Sequence, residues 1–384
     1  MNLIKKILKS AFIFLTLLNK IISKNKNQIF FYSNLGFRDN VKALFDYLID
    51  NEYNKTYQII VSCDDYLSFE GIELENVRFV GLKKGLLFFL TSKYCFYSFG
   101  KYPIMPSRNQ VVVNLWHGMP LKAIGRLVKG SEKEKQNYFS HIIATSDFFA
   151  DIMCKAFGCR KKQVILTPQP RCDIFKKDMV KPDFLSGFDK IVFWLPTFLS
   201  SKRLGVNDGE YNELNPYNLE FLQGIQKQLS LKNILLVIKP HPMDDVTSFA
   251  KEFKNILRVT DKDLNDLGHN LYTVLKFTDA LVTDFSSIYF DYLMLDKPIA
   301  FFGVDAKKYG EKRGFVTDDI LSIMPGYHIK TQLEFFEFLE DVSSGKDGFS
   351  DARKKCNELC NPLRDSFGCQ KILYEINLKK SEEN

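Results

Sequence analysis

At 384 residues the chain is too long for one ordinary core, so two domains are expected. Hydrophobic residues make up 45% and charged residues 26%, which excludes a disordered or fibrous chain. Lysine and arginine number 53 against 46 aspartates and glutamates, a balance that suits anionic substrates or an anionic membrane surface. With no nucleic-acid motif and no basic stretch interleaved with exposed aromatics, no nucleic-acid partner is expected.

The first element is the stretch "MNLIKKILKSAFIFLTLLNKIISKNKNQ", in which lysines surround an apolar run from Ala11 to Leu18. Crossing a bilayer takes ~20 apolar residues, and Lys9 and Lys20 bracket only ten. No small-residue cleavage site follows it. Residues 1–26 are therefore read as a basic amphipathic helix lying on the anionic inner membrane surface, its lysines meeting headgroups. The plain alternative is a surface helix packed on the first domain.

From Gln28 short apolar runs alternate with amphipathic stretches. "QIFFYS", "YQIIVS", "VRFVG", "YCFYS", "VVVNLW", "HIIATS" and "QVILT" read as strands, with helical patterns such as "NVKALFDYLIDN" and "SDFFADIMCKAFG" between them. The latter opens on Ser146, a good N-cap, and stops at Gly158. The polar stretch "KKDMVKPDFLSGFDK" reads as a linker. A second series follows: "KIVFWL", "NILLVIK", "NILRV", "ALVTD" and "PIAFFG". The rhythm implies an α/β protein with two Rossmann-like, doubly wound domains over residues 27–176 and 188–378, the helical tail from Thr331 to Leu378 closing the second. Ligands are expected in a cleft at the carboxyl ends of the strands. The polar stretch 199–217 is long for a connection and reads as a functional loop.

Candidate residues collect at those strand ends. In "NLWHGMPLK", His117 follows a strand, Gly118 allows a tight turn, and a helix is expected from Pro120. His117 is either a base for an attacking hydroxyl or a hydrogen-bonded histidine that fixes the loop. In "PQPRCDIF", Arg171 offers a fork for phosphate oxygens or a salt bridge to Asp173. "ILLVIKPHP" ends a strand on Lys239 and on His241, clamped between two prolines, which suits an anionic group or a structural turn. In "ALVTDFSSIYFDYLMLDKP", a strand ends at Thr283 and Asp284, and Ser286 and Ser287 open a helix. Free amides, the helix dipole and two hydroxyls there make an anion site, whereas Asp284 or Ser286 as a plain cap is the simpler reading. Asp291 either hydrogen-bonds a ribose or sits at a polar surface. Arg313 stands in an Arg-Gly turn, "RGF".

Eight cysteines form no CxxC pair, so no zinc or redox centre is expected and they read as reduced core thiols. There is no GxxxxGK[ST], HExxH or GxSxG element and no DxD pair preceding a nucleotide site, and neither a metal nor a cofactor is expected.

Taken together, the motifs resemble the CDP-glycerol glycerophosphotransferase family, the primases and polymerases of teichoic acid and related capsule polymers. "LWHGMPLKAIG", "TSDFFADIMCKAFG", "PRCDIF", "LPTF", "IKPHP", "LVTDFSSIYFDYLMLDKPIAFF" and "RGF…PG" follow one another in the family's order between about Gln28 and Ile376. The resemblance implies a glycosyltransferase-B architecture and transfer of an alditol phosphate from CDP-glycerol or a related CDP-alditol to a hydroxyl of a lipid-linked saccharide or polymer acceptor, with CMP leaving. It implies His117 as general base, and His241, Arg171, Thr283, Ser286 and Ser287 around the pyrophosphate. Gly118, Lys122, Lys239, Asp284, Asp291 and Arg313 complete the expected substrate contacts. It also implies a peripheral enzyme on the cytoplasmic face of the cell membrane. The chain departs from the family pattern at Cys172, Leu199 and Tyr327, near places that shape donor alditol or acceptor. Other readings are an inverting nucleotide-sugar transferase of the same architecture and a non-enzymatic, membrane-bound glycan-binding subunit.

Overall fold

The computed structural model describes residues 3–196, 200–201, 206–207, 216, 218–240, 253–302 and 306–380. These form two compact units. The first comprises residues 1–119, 125–173 and 363–384, and the second residues 120–124 and 174–362.

The first unit begins with α1 (Leu3–Ile21) and β1 (Asn25–Ser33), followed by α2 (Asp39–Asp50), β2 (Gln58–Cys63) and β3 (Val77–Val80). Next come α3 (Leu82–Thr91), β4 (Ser92–Tyr97), β5 (Val111–Asn114), β6 (His141–Ala144), α4 (Asp147–Phe157) and β7 (Val164–Leu166). The seven strands form one parallel sheet in the order β3-β2-β1-β4-β5-β6-β7. A parallel sheet is covered on both faces, which is why its strands are apolar throughout rather than alternating. On one face Ile29, Phe31, Ile59, Phe96 and Val113 pack with Leu44 and Leu48 of α2. On the other, Phe30 meets Phe89 of α3 edge-on at 6.0 Å. Ser146 caps α4 by accepting from the Phe149 N–H, and Gly158 ends it at φ 65°, as the sequence signals predicted.

Helix α1 is anchored through polar groups. Asn19 is buried, and its Nδ2 donates to the carbonyl of Met105 and to Gln110 Oε1, both at 2.9 Å. Lys24 Nζ donates to Asn19 Oδ1 at 2.7 Å and to the Leu90 carbonyl. Ile13, Phe14, Leu17 and Ile21 are left exposed, with Phe14 at 65% and Leu17 at 57%. Among the described residues no helix is long and apolar enough to cross a membrane.

The second unit runs through β8 (Lys190–Leu195), the antiparallel pair β9 (Ser200–Ser201) and β10 (Val206–Asn207), α5 (Leu219–Leu231), β11 (Ile234–Ile238) and β12 (Ile256–Arg258). It continues through α6 (Asp261–Asp266), α7 (Leu271–Lys276), β13 (Ala280–Thr283), α8 (Ile288–Tyr292), β14 (Ile299–Phe302) and α9 (Ala306–Arg313). It closes with β15 (Tyr327–Ile329), α10 (Gln332–Ser344) and α11 (Ser350–Cys360). Its parallel sheet has the order β12-β11-β8-β13-β14-β15. The core centres on Trp194, which packs on Phe302 at 4.4 Å and Phe335 at 5.6 Å. The 199–217 loop lies largely outside the described residues.

Two expectations are corrected. The helix expected from Pro120 does not form. Instead Lys122 pairs antiparallel with Phe315, the Ala123 N–H donates to the Gly314 carbonyl, and the Val316 N–H to the Leu121 carbonyl, each at 3.0 Å. A segment distant in sequence takes up backbone groups that a helix would have used. The tail expected to close the second half also divides. Residues from 363 onward return to the first unit, where α12 (Gly368–Glu375) adds Cys369, Ile372 and Leu373 to the core beside α2.

Candidate active site

In the first unit the sheet brings the ends of β4 and β5 side by side, with Tyr97 opposite Asn114. The chain after each strand then meets the other. Asn114 Oδ1 accepts from the Trp116 N–H at 3.0 Å and bends the chain sharply. Trp116 adopts φ 49° and Gly118 φ 122°. A bulky side chain is uncommon in that left-handed region and persists there only when its surroundings hold it. Buried Asn40, at the start of α2, is the holder. Its Nδ2 donates to the carbonyls of Leu115 at 2.9 Å and Trp116 at 3.1 Å, and to Gln169 Oε1 at 3.1 Å.

The His117 imidazole that results is half-buried and oriented. Its Nδ1 lies 3.3 Å from the carbonyl oxygen of Ser98. A carbonyl only accepts, so Nδ1 carries the hydrogen and Nε2 keeps its lone pair. Phe99 stacks on the ring at 4.7 Å, and Trp116 lies against it at 4.0 Å. Burial pushes the imidazole pKa below its ordinary 6.5; Asp39 opposes this and Arg171 adds to it. The His117 ring is therefore neutral near pH 7.

Arg171 Nη1 sits 2.6 Å from Asp39 Oδ2, and the Arg171 N–H donates to Asn40 Oδ1 at 3.2 Å. The alternative pairing with Asp173 is thereby corrected. Asp173 accepts from the first amides of α12, Gly368 at 2.6 Å and Cys369 at 2.9 Å. Burial of both side chains on opposite errands explains the split: the acid meets unpaired helix amides, the guanidinium a carboxylate.

In the second unit, Lys239 and Thr283 bracket the end of β8. The Lys239 N–H donates to the Trp194 carbonyl at 3.0 Å, and Thr283 Oγ1 to the Leu195 carbonyl at 2.9 Å. Lys239 Nζ is buried against Asp261 Oδ1 at 3.0 Å. Asp284 lines an open recess with Phe301, Phe302, Met324 and His328. Ser286 and Ser287 are half-buried, and Ser287 stands at the N-cap of α8 without a side-chain capping bond. That helix has only five residues, a shorter dipole than the expected helix. Phe285 lies tilted against Tyr309 at 5.1 Å and meets Phe315 edge-on at 4.9 Å, and Lys122 Nζ lies 5.1 Å over the Tyr309 ring. Lys122 and the serines thus share one corner of this unit.

Asp291 is corrected from a polar surface to the interior: it is buried, and its Oδ2 accepts from Tyr272 Oη at 2.6 Å. His241 lies outside the described residues, as does the Arg313 side chain at the end of α9. Among the described residues no His, Cys, Asp and Glu cluster has a metal-binding arrangement. Sequence reading missed Ser98, Phe99, Asp39 and Asn40. For Ser98 and Phe99 one signal existed, their place just after the strand "YCFY".

Residues 13–378 match the family described as CDP-Glycerol:Poly(glycerophosphate) glycerophosphotransferase. A teichoic acid glycerol-phosphate transferase of Staphylococcus aureus is 24% identical over 98% of this chain and 99% of its own. A teichoic acid poly(glycerol phosphate) polymerase of Bacillus spizizenii is 27% identical over 85% of this chain and 86% of its own. Among solved structures, a histidine-to-asparagine variant of the wall teichoic acid polymerase TagF, soaked with CDPG, superposes with a TM-score of 0.74 at 18% identity. It covers 92% of this chain and 89% of its own. That likeness gives the fold: the two-domain glycosyltransferase-B architecture.

Proposed function

The chain belongs to the CDP-glycerol:poly(glycerophosphate) glycerophosphotransferase family, and we propose that it moves glycerol phosphate from CDP-glycerol to a hydroxyl of a teichoic acid acceptor, releasing CMP. His117 Nε2 takes the proton of the acceptor hydroxyl. The acceptor oxygen forms a bond to the glycerol-bearing phosphorus, and the bond from that phosphorus to the CMP oxygen breaks. The proton remains on His117 until solvent removes it. The observation that carries this reading is the Nδ1 contact with Ser98, which leaves Nε2 the accepting nitrogen on a neutral ring.

The donor is assigned to the strand ends of the second unit. Ser286 and Ser287 supply hydroxyls, and Lys122 a charge, for the pyrophosphate; Lys239, Thr283 and Asp284 shape the seat beneath it, and the recess beside Asp284 takes the nucleoside. By the resemblance of "IKPHP", His241 joins them. Fixed donors meeting the transferred phosphoryl charge are the main source of catalysis in such reactions. Arg171, tied to Asp39, acts on His117's side of the chemistry. The exposed apolar face of α1 and its lysines hold the enzyme peripherally on the cytoplasmic face of the membrane, where lipid-linked acceptors are.

The test incubates the enzyme with CDP-glycerol, CDP-ribitol or a nucleotide sugar and a lipid-linked acceptor, reading CMP and product mass. CMP release with CDP-glycerol is expected; activity with a nucleotide sugar alone would sink the reading. His117→Ala should leave CDP-glycerol binding intact and lower turnover ~10²-fold or more. Ser286→Ala should instead weaken CDP-glycerol binding.

A further inference from the structure

Beyond β4 and β5 a run of stacked groups surrounds the proposed base. Arg38 Cζ lies 5.6 Å from the Phe99 ring, Phe99 stacks on His117 with 22° between planes, and Trp116 approaches His117 with 32° between planes. Phe157 of α4 then abuts Trp116 edge-on at 4.9 Å. Both rings against His117 are held by the backbone. The Asn34 N–H donates to the Phe99 carbonyl at 3.3 Å, and Gly100 follows at φ 66°. A Cβ on Gly100 would meet the Asn34 side chain at 2.4 Å, so only glycine lets the chain turn there. Trp116 is kept at φ 49° by Asn40, a strained conformation that a smaller residue would occupy more readily.

We propose that Phe99 and Trp116 are positioning residues for the proton transfer: they fix the plane of the His117 ring and stabilise the imidazolium it becomes. This rests on His117 being the base. A half-buried imidazolium has little water to solvate it. Of the charged groups around it, Asp39 is paired with Arg171, so its attraction is offset by the guanidinium. The Ser98 carbonyl accepts one N–H. Arg38, on the Phe99 ring, is exposed and screened by solvent. The π faces of Phe99 and Trp116 supply the remaining stabilisation, since a cation against an aromatic face is attracted by the ring quadrupole.

The test labels the histidine rings and follows the His117 pKa and tautomer by NMR in the full chain, with His117→Ala identifying the signal. Wild type, Phe99→Leu and Phe99→Tyr are compared, with thermal midpoints as the check on folding. Phe99→Leu keeps an apolar side chain but loses the π face. It should lower the His117 pKa by about half a unit and kcat about three- to tenfold. KM for CDP-glycerol should hold, and the acid limb of the rate profile should move to lower pH. Phe99→Tyr should retain wild-type values. An unmoved pKa in Phe99→Leu, or equal behaviour of the two variants, overturns the aromatic role. Normal turnover in His117→Ala overturns the base reading, whatever Phe99→Leu does to the ring.

Discussion

Asp39 and Arg171 stand 132 residues apart in sequence and meet at 2.6 Å beside His117. The two exert opposing influences on one imidazole: the carboxylate favours its proton and the guanidinium, more weakly, disfavours it. Asp39→Asn should therefore lower the His117 pKa, and Arg171→Gln should raise it. A base works unprotonated, so the acid limb of the pH–rate profile should move down in the first variant and up in the second. Shifts in the same direction would show that the pair acts only through folding. Removing one partner of a pair this buried should also lower stability, by up to about 3 kcal/mol for Asp39→Asn.

Burial holds both His117 and His141 below the ordinary histidine value of 6.5. As pH falls through that value the unfolded chain takes up protons that the folded one refuses, so unfolding becomes easier. Stability should be flat above about pH 7.5 and decline from about 6.5 downward. The thermal midpoint read at intervals between pH 7.5 and 5.5 tests this, and His141→Gln should shallow the slope. A midpoint constant over that window would contradict the burial argument.

Asp173 should prove structural. Its carboxylate closes the first two amides of α12, and losing such a cap costs about 1–2 kcal/mol. Asp173→Ala should speed hydrogen exchange over residues 368–376 while leaving CDP-glycerol affinity unchanged. Protection that is unaltered in α12 would remove the capping role.

The apolar face of α1 makes a prediction about membranes. Phe14→Glu combined with Leu17→Glu alters two exposed side chains and none of the anchoring bonds of Asn19. Binding to vesicles containing anionic lipid should fall at least ~10-fold, given about 1.5–3 kcal/mol for each large apolar side chain fully buried. The circular dichroism should not change. Undiminished vesicle binding would reject α1 as the anchor.

Both sheets were legible because each strand is a short apolar run closed by polar residues, and the helices between carry caps such as Ser146 and stops such as Gly158. His117 stood out because a histidine directly after a strand has no packing reason to be there. The rest was hidden for one physical reason: the deciding partners are remote in sequence. Nothing near Asn40 shows that it will hold the chain at Trp116, or that Asp39 will take Arg171 away from its neighbour Asp173. Pro120 has the local look of a helix start, and Phe315, nearly two hundred residues later, claims its segment. That Asp291 is buried could not be read locally, because its partner Tyr272 lies on another helix.

The return of α12 to the first sheet sets an order of assembly. Residues 174–362 lie wholly within the second unit and are synthesised before Gly368. While the ribosome is still translating, the second unit has all its later strands, whereas the first still lacks Cys369, Ile372, Leu373 and Ile376 of its core. The first unit is therefore completed after the second, reversing the N-to-C order in which domains generally mature. Until then the core of Ile29, Phe31 and Leu44 lacks part of its cover, and a chain broken off near Pro362 would never gain it.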